Sequence, residues 1–314
     1  MLTPMQIPTV MAKPAGPPAK GWVGTALAVF YIFLWASAYV PSKVASTQSP
    51  PLWFLAARFL AAGLVLVGIA VARRRPWPER VSDWAFAASL GLFGNALYLG
   101  LTYTALHRLS AGMGAIIAST NPLLLALVAP YFLKERLSLT KLAGLVIGFG
   151  GVLAIVLARA GSTTALPPDV ALAFGGVMAN VCSTLLFKRY AVRFDLMAVT
   201  ALQMSSAGLC MAVTAACVEP LRVAVTPELL LAFAYLVLVL SVGASLLWFW
   251  LLSHGEASRI SAYYYLTPAF GLALSACLLH EAIGPGDWAG LAAIVFGIVL
   301  VQQRPRGSNA STAE

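Results

Sequence analysis

"NPLLLALVAPYFLKERLS", Asn121–Ser138, runs apolar for a dozen residues and then ends in Lys-Glu-Arg. Far downstream comes "TPAFGLALSACLLHEAIG", Thr267–Gly284, and at an offset of 146 residues Pro122 falls on Pro268 and Glu135 on Glu281. The match spreads outward from this pair. At the same offset of 146, Ala111 meets Ala257, Leu133 meets Leu279, Ala143-Gly144-Leu145 meets Ala289-Gly290-Leu291, and Gly151 meets Gly297. At 145, Lys43 meets Lys188 and Ala62-Gly63-Leu64 meets Ala207-Gly208-Leu209. Leu, Ala and Gly coincide easily, so the inference of a duplicated unit rests on the colinearity of the matches.

The solvent follows from composition. Hydrophobic residues are 60% of the chain and charged ones 10%, against roughly 25% charged in soluble domains. Ten apolar runs, residues 22–42, 52–72, 84–106, 113–133, 142–158, 168–187, 196–218, 229–252, 261–280 and 288–302, approach the ~20 residues that cross a bilayer. Backbone amides in lipid need internal partners, and continuous apolar runs lack the alternation of barrel strands. The chain is therefore expected to be an all-α polytopic membrane protein. Spans 1–5 repeat as spans 6–10. Five is odd, so the second copy enters from the opposite face, which makes the halves inverted repeats. The expected division is a first repeat over 21–160 and a second over 166–303, with disordered tails at 1–20 and 304–314. No connection exceeds about a dozen residues, which leaves no room for a soluble domain.

The net charge of +9 does not mark a nucleic-acid surface. With the N-terminus inside, fifteen Lys and Arg fall on inside segments and four outside, while Arg58 lies within span 2. Such a bias places both termini in the cytoplasm. Cys182, Cys210, Cys217 and Cys277 sit in apolar spans without metal-ligand spacing and read as packing residues. His107, His254 and His280 lie at span ends, and no metal, cofactor or nucleotide motif occurs.

"WFLAARFLAAGL" (53–64), "YTALHRLSAGMGAIIASTNPLLLALVAPYFLKERLS" (103–138) and "HGEASRISAYYYLTPAFGLALSACLLHEAIGPGDWAGLAAIVFGIVLV" (254–301) resemble the EamA family of the drug/metabolite transporter superfamily. The resemblance covers roughly residues 21–303. It implies a ten-helix basket around a central cavity, a bacterial inner membrane, and export of amino acids or other small metabolites.

The residues themselves offer several candidates. Pro122 and Pro268, inside their spans, free the carbonyls of Ala118 and Tyr264 and suit a gating kink. Glu135 and Glu281 end spans 4 and 9, and each carboxylate is placed to clamp the start of the following helix, with a gating or proton role as the alternative. Arg58, whose repeat mate is Gln203, either snorkels to the outer interface or contacts a substrate carboxylate. Trp35, Ser37, Tyr39, Asn95, Tyr98, Asn121, Asn180, Ser183, Gln203 and Tyr264 are read as a mixed aromatic and polar pocket, or else as interhelical hydrogen-bonding residues. Trp22, Trp53, Trp84, Trp248, Trp250 and Trp288 are read as an interfacial belt. Gly144, Gly148 and Gly151 with Ala289, Ala293 and Gly297 give a close helix contact within the chain or a face for a weak dimer. These features favour a secondary exporter of small amphipathic metabolites, monomeric or weakly dimeric and without a cofactor. An uptake carrier stands as the alternative, and an intramembrane enzyme or scaffold as a more distant one.

Overall fold

The computed structural model describes residues 21–106, 109, 117–135, 137–159, 167–190, 194–270, 273 and 284–303. Among these the chain is helical, with no strand. Seven helices are long and apolar enough to cross a bilayer, and Trp22–Ser37 and Asn121–Leu133 are shorter apolar helices. It is an integral membrane protein.

The helices are α1 (Gly21–Ser37), α2 (Tyr39–Gln48), α3 (Pro51–Ala72) and α4 (Val81–Gly91). A π-helical segment, Leu92–Leu97, carries α4 into α5 (Tyr98–Leu106). Then come α6 (Asn121–Leu133), α7 (Leu139–Arg159), α8 (Pro167–Tyr190), α9 (Leu196–Val218) and α10 (Pro227–Tyr235). A second π segment, Leu236–Ala244, joins α10 to α11 (Ser245–His254). The series closes with α12 (Ala257–Ala262), a 3₁₀ turn at Tyr263–Tyr265, and α13 (Pro285–Gln302). Pro51, Pro227 and Pro285 each sit in a first helical turn, where a missing amide hydrogen costs nothing. Asp195 and Thr226 cap α9 and α10 by accepting from backbone amides.

The proline reading needs correction. Pro122 is not a mid-helix kink. The chain turns at Ser119 and Thr120, and α6 restarts at Asn121 with Pro122 in its first turn. The proline inside that helix is Pro130. Ahead of Pro268 the chain narrows to the 3₁₀ turn before residues 266–270 resume the helix. Both prolines therefore follow a local departure from α-helix, a turn in one half and a 3₁₀ turn in the other.

Two helix pairs share the most extensive packing among the described residues, α3 with α9 and α7 with α13. A Cβ added to Gly208 would lie 2.6 Å from the Leu60 nitrogen, and one on Gly63 would lie 2.9 Å from the Ser205 nitrogen. In the other pair, a Cβ on Gly144 would lie 2.6 Å from the Gly297 carbonyl oxygen and one on Gly151 2.6 Å from that of Gly290. This seam binds two helices of one chain. It uses Gly290 and Gly297, whereas Ala289 faces outward. Bilayer lipid gives apolar side chains little reason to leave it, so close backbone contact of small residues supplies the packing. Leu64 and its repeat mate Leu209, 73% and 63% exposed, both face the surroundings of the bundle.

Candidate functional site

Polar side chains within the bundle meet in pairs. Asn121 Nδ2 donates to Asn180 Oδ1 at 2.8 Å, joining α6 to α8. Gln203 Nε2 of α9 donates to Asn95 Oδ1 at 2.6 Å, and Arg58 Nε of α3 donates to Ser241 Oγ at 2.8 Å. Asn95 and Ser241 each lie in one of the two π segments. A π turn inserts one extra residue, which rotates the helix face and brings an otherwise offset side chain inward. Interhelical hydrogen bonds of this kind contribute about 0.6–2 kcal/mol each.

The spacing of these pairs follows the repeat. Gln203 minus Arg58 is 145, and Ser241 minus Asn95 is 146. Each bond thus joins one half of the chain to the π segment of the other. One bond is charged and the other neutral. Arg58 is 7% exposed, and no carboxylate pairs with it among the described residues. On the neutral side Gln203 is 3% exposed, and its Oε1 has no hydrogen-bond partner there. Snorkelling does not describe Arg58, whose Nε is committed to Ser241.

An aromatic cluster occupies the corresponding place among α1, α11 and the 3₁₀ turn. Tyr31 stacks on Trp248 at 5.1 Å between ring centroids and on Trp35 at 6.3 Å, and its hydroxyl lies 2.7 Å from that of Tyr264. Tyr264 also meets Trp35 edge-on at 6.2 Å. Trp35 and Asn180 are repeat mates 145 residues apart. Hence one half presents indole where the other presents an amide. Ser37 joins this side through a 2.6 Å bond to the Tyr235 hydroxyl. Ser183 is buried beside Gly94 and within 3.4 Å of the Leu90 carbonyl, so it packs α8 against α4. Tyr98 is half-buried at the start of α5, and Tyr39 opens α2.

One tryptophan reading changes. Trp248 belongs to the central cluster, because α11 continues to His254 and leaves it above a full turn from the end. Trp250 stacks on His254 at 4.2 Å. Trp22 and Trp288 remain exposed at helix starts.

At the basic end of the bundle a charged network ties several helices together. Lys134 ends α6 in a left-handed conformation, φ 55°, which turns Glu135 towards α12. Its carboxylate accepts from Ala257 N at 2.7 Å, from Ser258 N at 3.3 Å and from the Ser258 hydroxyl. The clamp therefore closes α12 in the other half of the chain, not the helix that follows Glu135. Glu281 lies outside the described residues. Lys141, 4% exposed on its side chain, pairs with Glu256 at 2.9 Å and lies 3.8 Å from Glu135. Arg259 Nε donates to Glu256 at 2.9 Å and its Nη1 to the Gln302 carbonyl at 3.2 Å. Lys188 donates to the Leu252 and Gly255 carbonyls. Burial alone would raise the Glu256 carboxyl, but hydrogen bonding to Lys141 and the charges of Lys141 and Arg259 hold it below the usual range.

At the opposite end, Glu219 Oε2 accepts from Leu52 N at 2.9 Å and from Trp53 N at 3.4 Å, capping α3 from the end of α9. Thr226 Oγ1 donates to Gln48 Oε1 at 2.6 Å. A recess of about 470 Å³ opens beside them, lined by Thr47, Gln48, Ser49, Arg222, Val223 and Ala224.

A model of the EamA-like transporter family matches residues 22–157 and again 169–302. The chain belongs to the EamA-like transporter family. It is similar to an uncharacterised transporter of Bacillus subtilis, YvbV, at 29% identity over 91% of this chain and 93% of that protein. It is likewise similar to the uncharacterised inner membrane transporter YedA of Escherichia coli, at 28% identity over 88% and 89%. A solved crystal structure superposes with a TM-score of 0.75 at 24% identity, over 90% of this chain and 96% of that one, and shares the fold. Family membership makes transport the general function of the chain.

Some residues of this EamA-like site escape sequence reading. Tyr31, 3% exposed at the centre of the aromatic cluster, is four residues before Trp35 and shares its helix face, which is the signal that could have found it. Lys141 counts among the inside charges and Glu256 lies in a connection, and nothing in their local sequence shows their pairing.

Proposed function

We propose that this EamA-like protein is a secondary carrier that exports small amphipathic metabolites, amino acids among them. It works by alternating access between two inverted five-helix repeats, ten spans in all, with both termini cytoplasmic. The observation that carries the reading is the exchange of the two bulge-hosted bonds, Arg58–Ser241 and Gln203–Asn95. A two-fold axis in the membrane plane relates such a pair, and each half then adopts the conformation of the other at little difference in energy. The turn ahead of Pro122 and the 3₁₀ turn ahead of Pro268 give each half a departure from α-helix at the matched repeat position, which suits a bending point.

The unequal lining supports an amphipathic substrate. An apolar group suits the Tyr31, Trp35, Trp248 and Tyr264 side, and polar groups suit the Asn95, Asn121, Asn180 and Gln203 side. On the positive-inside assignment, the Lys141–Glu256–Arg259 network and the Glu135 clamp close the cytoplasmic end in this conformation and must release for the site to open inward. Export is the direction that the resemblance implies.

Proteoliposomes loaded with a mixed pool of amino acids and other small metabolites test the proposal. Selective loss of amphipathic amino acids, identified by mass spectrometry, is the expected result. Efflux no faster than from protein-free liposomes would exclude a carrier of this class.

A further inference from the structure

We infer that Arg58 and Ser241 form an anion site that holds the carboxylate of the transported solute; this rests on the transport reading and names the chemical group recognised. The guanidinium is buried, 7% exposed, with Nε bound to Ser241 Oγ and neither terminal nitrogen hydrogen-bonded among the described residues. A guanidinium has five N–H donors, and among the described residues only the Nε–H has an acceptor. Ser241 accepts from Arg58, and this leaves its own hydroxyl hydrogen to donate. Donors of positive charge thus converge where no described residue accepts from them. A charged arginine buried to this degree is normally matched by an anion or an aromatic face, and the Phe59 ring, 5.5 Å from Cζ, supplies only the second.

The repeat supplies the control. At the matched position Gln203 makes the corresponding bond to the other π segment without any charge. The architecture of the bond therefore needs only an N–H donor, and a fixed charge in one half calls for a different explanation. Gln203 also keeps a buried acceptor, Oε1, without a partner, so the two mated sites are of opposite polarity. A single guanidinium fork fits a planar carboxylate in bidentate fashion and balances its one charge. A phosphate monoester carries nearly two negative charges, for which no second cation stands beside Arg58 among the described residues.

The test is efflux from proteoliposomes loaded with an equimolar pool of amino acids and the corresponding amino-acid amides, for the wild type and the Arg58→Gln, Arg58→Lys and Ser241→Asp variants. The wild type should prefer acids to their amides by at least roughly tenfold, since a site built to bond a group rejects the analogue lacking it. Arg58→Gln should bring that ratio to about one, and Arg58→Lys should keep it above one. Ser241→Asp pairs the guanidinium within the protein, so it should fold even if Arg58→Gln does not, and it too should lose the preference. Equal efflux of acids and amides by the wild type, or an unchanged ratio in Ser241→Asp, would overturn the carboxylate site while leaving the carrier standing. Absence of any efflux above protein-free liposomes would instead remove the transport reading on which the site depends.

Discussion

Replacing Glu135 by glutamine keeps the shape of the side chain and removes its charge. The native carboxylate accepts from the Ala257 and Ser258 amides and the Ser258 hydroxyl, with Lys141 at 3.8 Å. Glutamine has one acceptor oxygen, and its amide hydrogens must face a backbone donor. A hydrogen bond to a charged group contributes about 1.5–3 kcal/mol and a neutral one about 0.5–1.5. Weakening two of them should cost about 2–3 kcal/mol, or roughly 30- to 140-fold in an equilibrium. The side chain is only 7% exposed, so screening by solvent takes away little of this. Because the bonds span α6 and α12, the loss should fall on the closed state of the basic end. Thermal unfolding in detergent should drop by several degrees, and thiol labelling of a Ser258→Cys reporter should rise. A variant with unchanged unfolding and labelling would refute the clamp. A variant that stays stable yet loses dependence of transport on a proton gradient would make Glu135 a coupling residue.

Further expectations concern packing, topology and pH. Gly297→Leu should cost a few kcal/mol and sharply reduce folded yield, because a Cβ there would sit 2.5 Å from the Gly144 carbonyl; Gly150→Leu, with nothing within 4 Å, should fold normally. In a cysteine-free background, Ser162→Cys should be labelled from outside intact cells and Ser82→Cys protected, and the reverse pattern would invert the topology. Since Glu256 titrates below its ordinary value of 4.5 in the folded protein, its contribution is complete above that pH and fades as pH falls further. Acid titration of the unfolding temperature should therefore show a decline below about pH 4.5 that Glu256→Gln removes.

Much of the fold is legible in the sequence because lipid simplifies the problem. Long apolar runs have no alternative to helix, and the Glu135 and Glu281 segments mark the duplication by spacing alone. The π segments are not legible, since Leu92–Leu97 and Leu236–Ala244 have ordinary helical compositions and the bonds that Asn95 and Ser241 make are tertiary. Arg58 and Gln203 are recognisable as mates because a matched Ala-Gly-Leu follows each, whereas no such triplet follows Asn95 and Ser241. Glu135 can be read as a cap from its place at a helix end. Which helix it caps depends on tertiary contact, because α12 lies more than a hundred residues away. Trp248 misled because its position was counted from an apolar run that ended too early; α11 runs on to His254.

Alternating access is tested most directly at Asn180, which lies among the paired amides. An Asn180→Cys reporter in a cysteine-free protein, reconstituted in one orientation, can be titrated with membrane-impermeant thiol reagents from each side in turn. Alternating access predicts reactivity from both sides, with Pro122→Ala and Pro268→Ala shifting the balance in opposite directions because the two halves exchange roles. Reactivity from one side only, unmoved by either proline substitution, would contradict it.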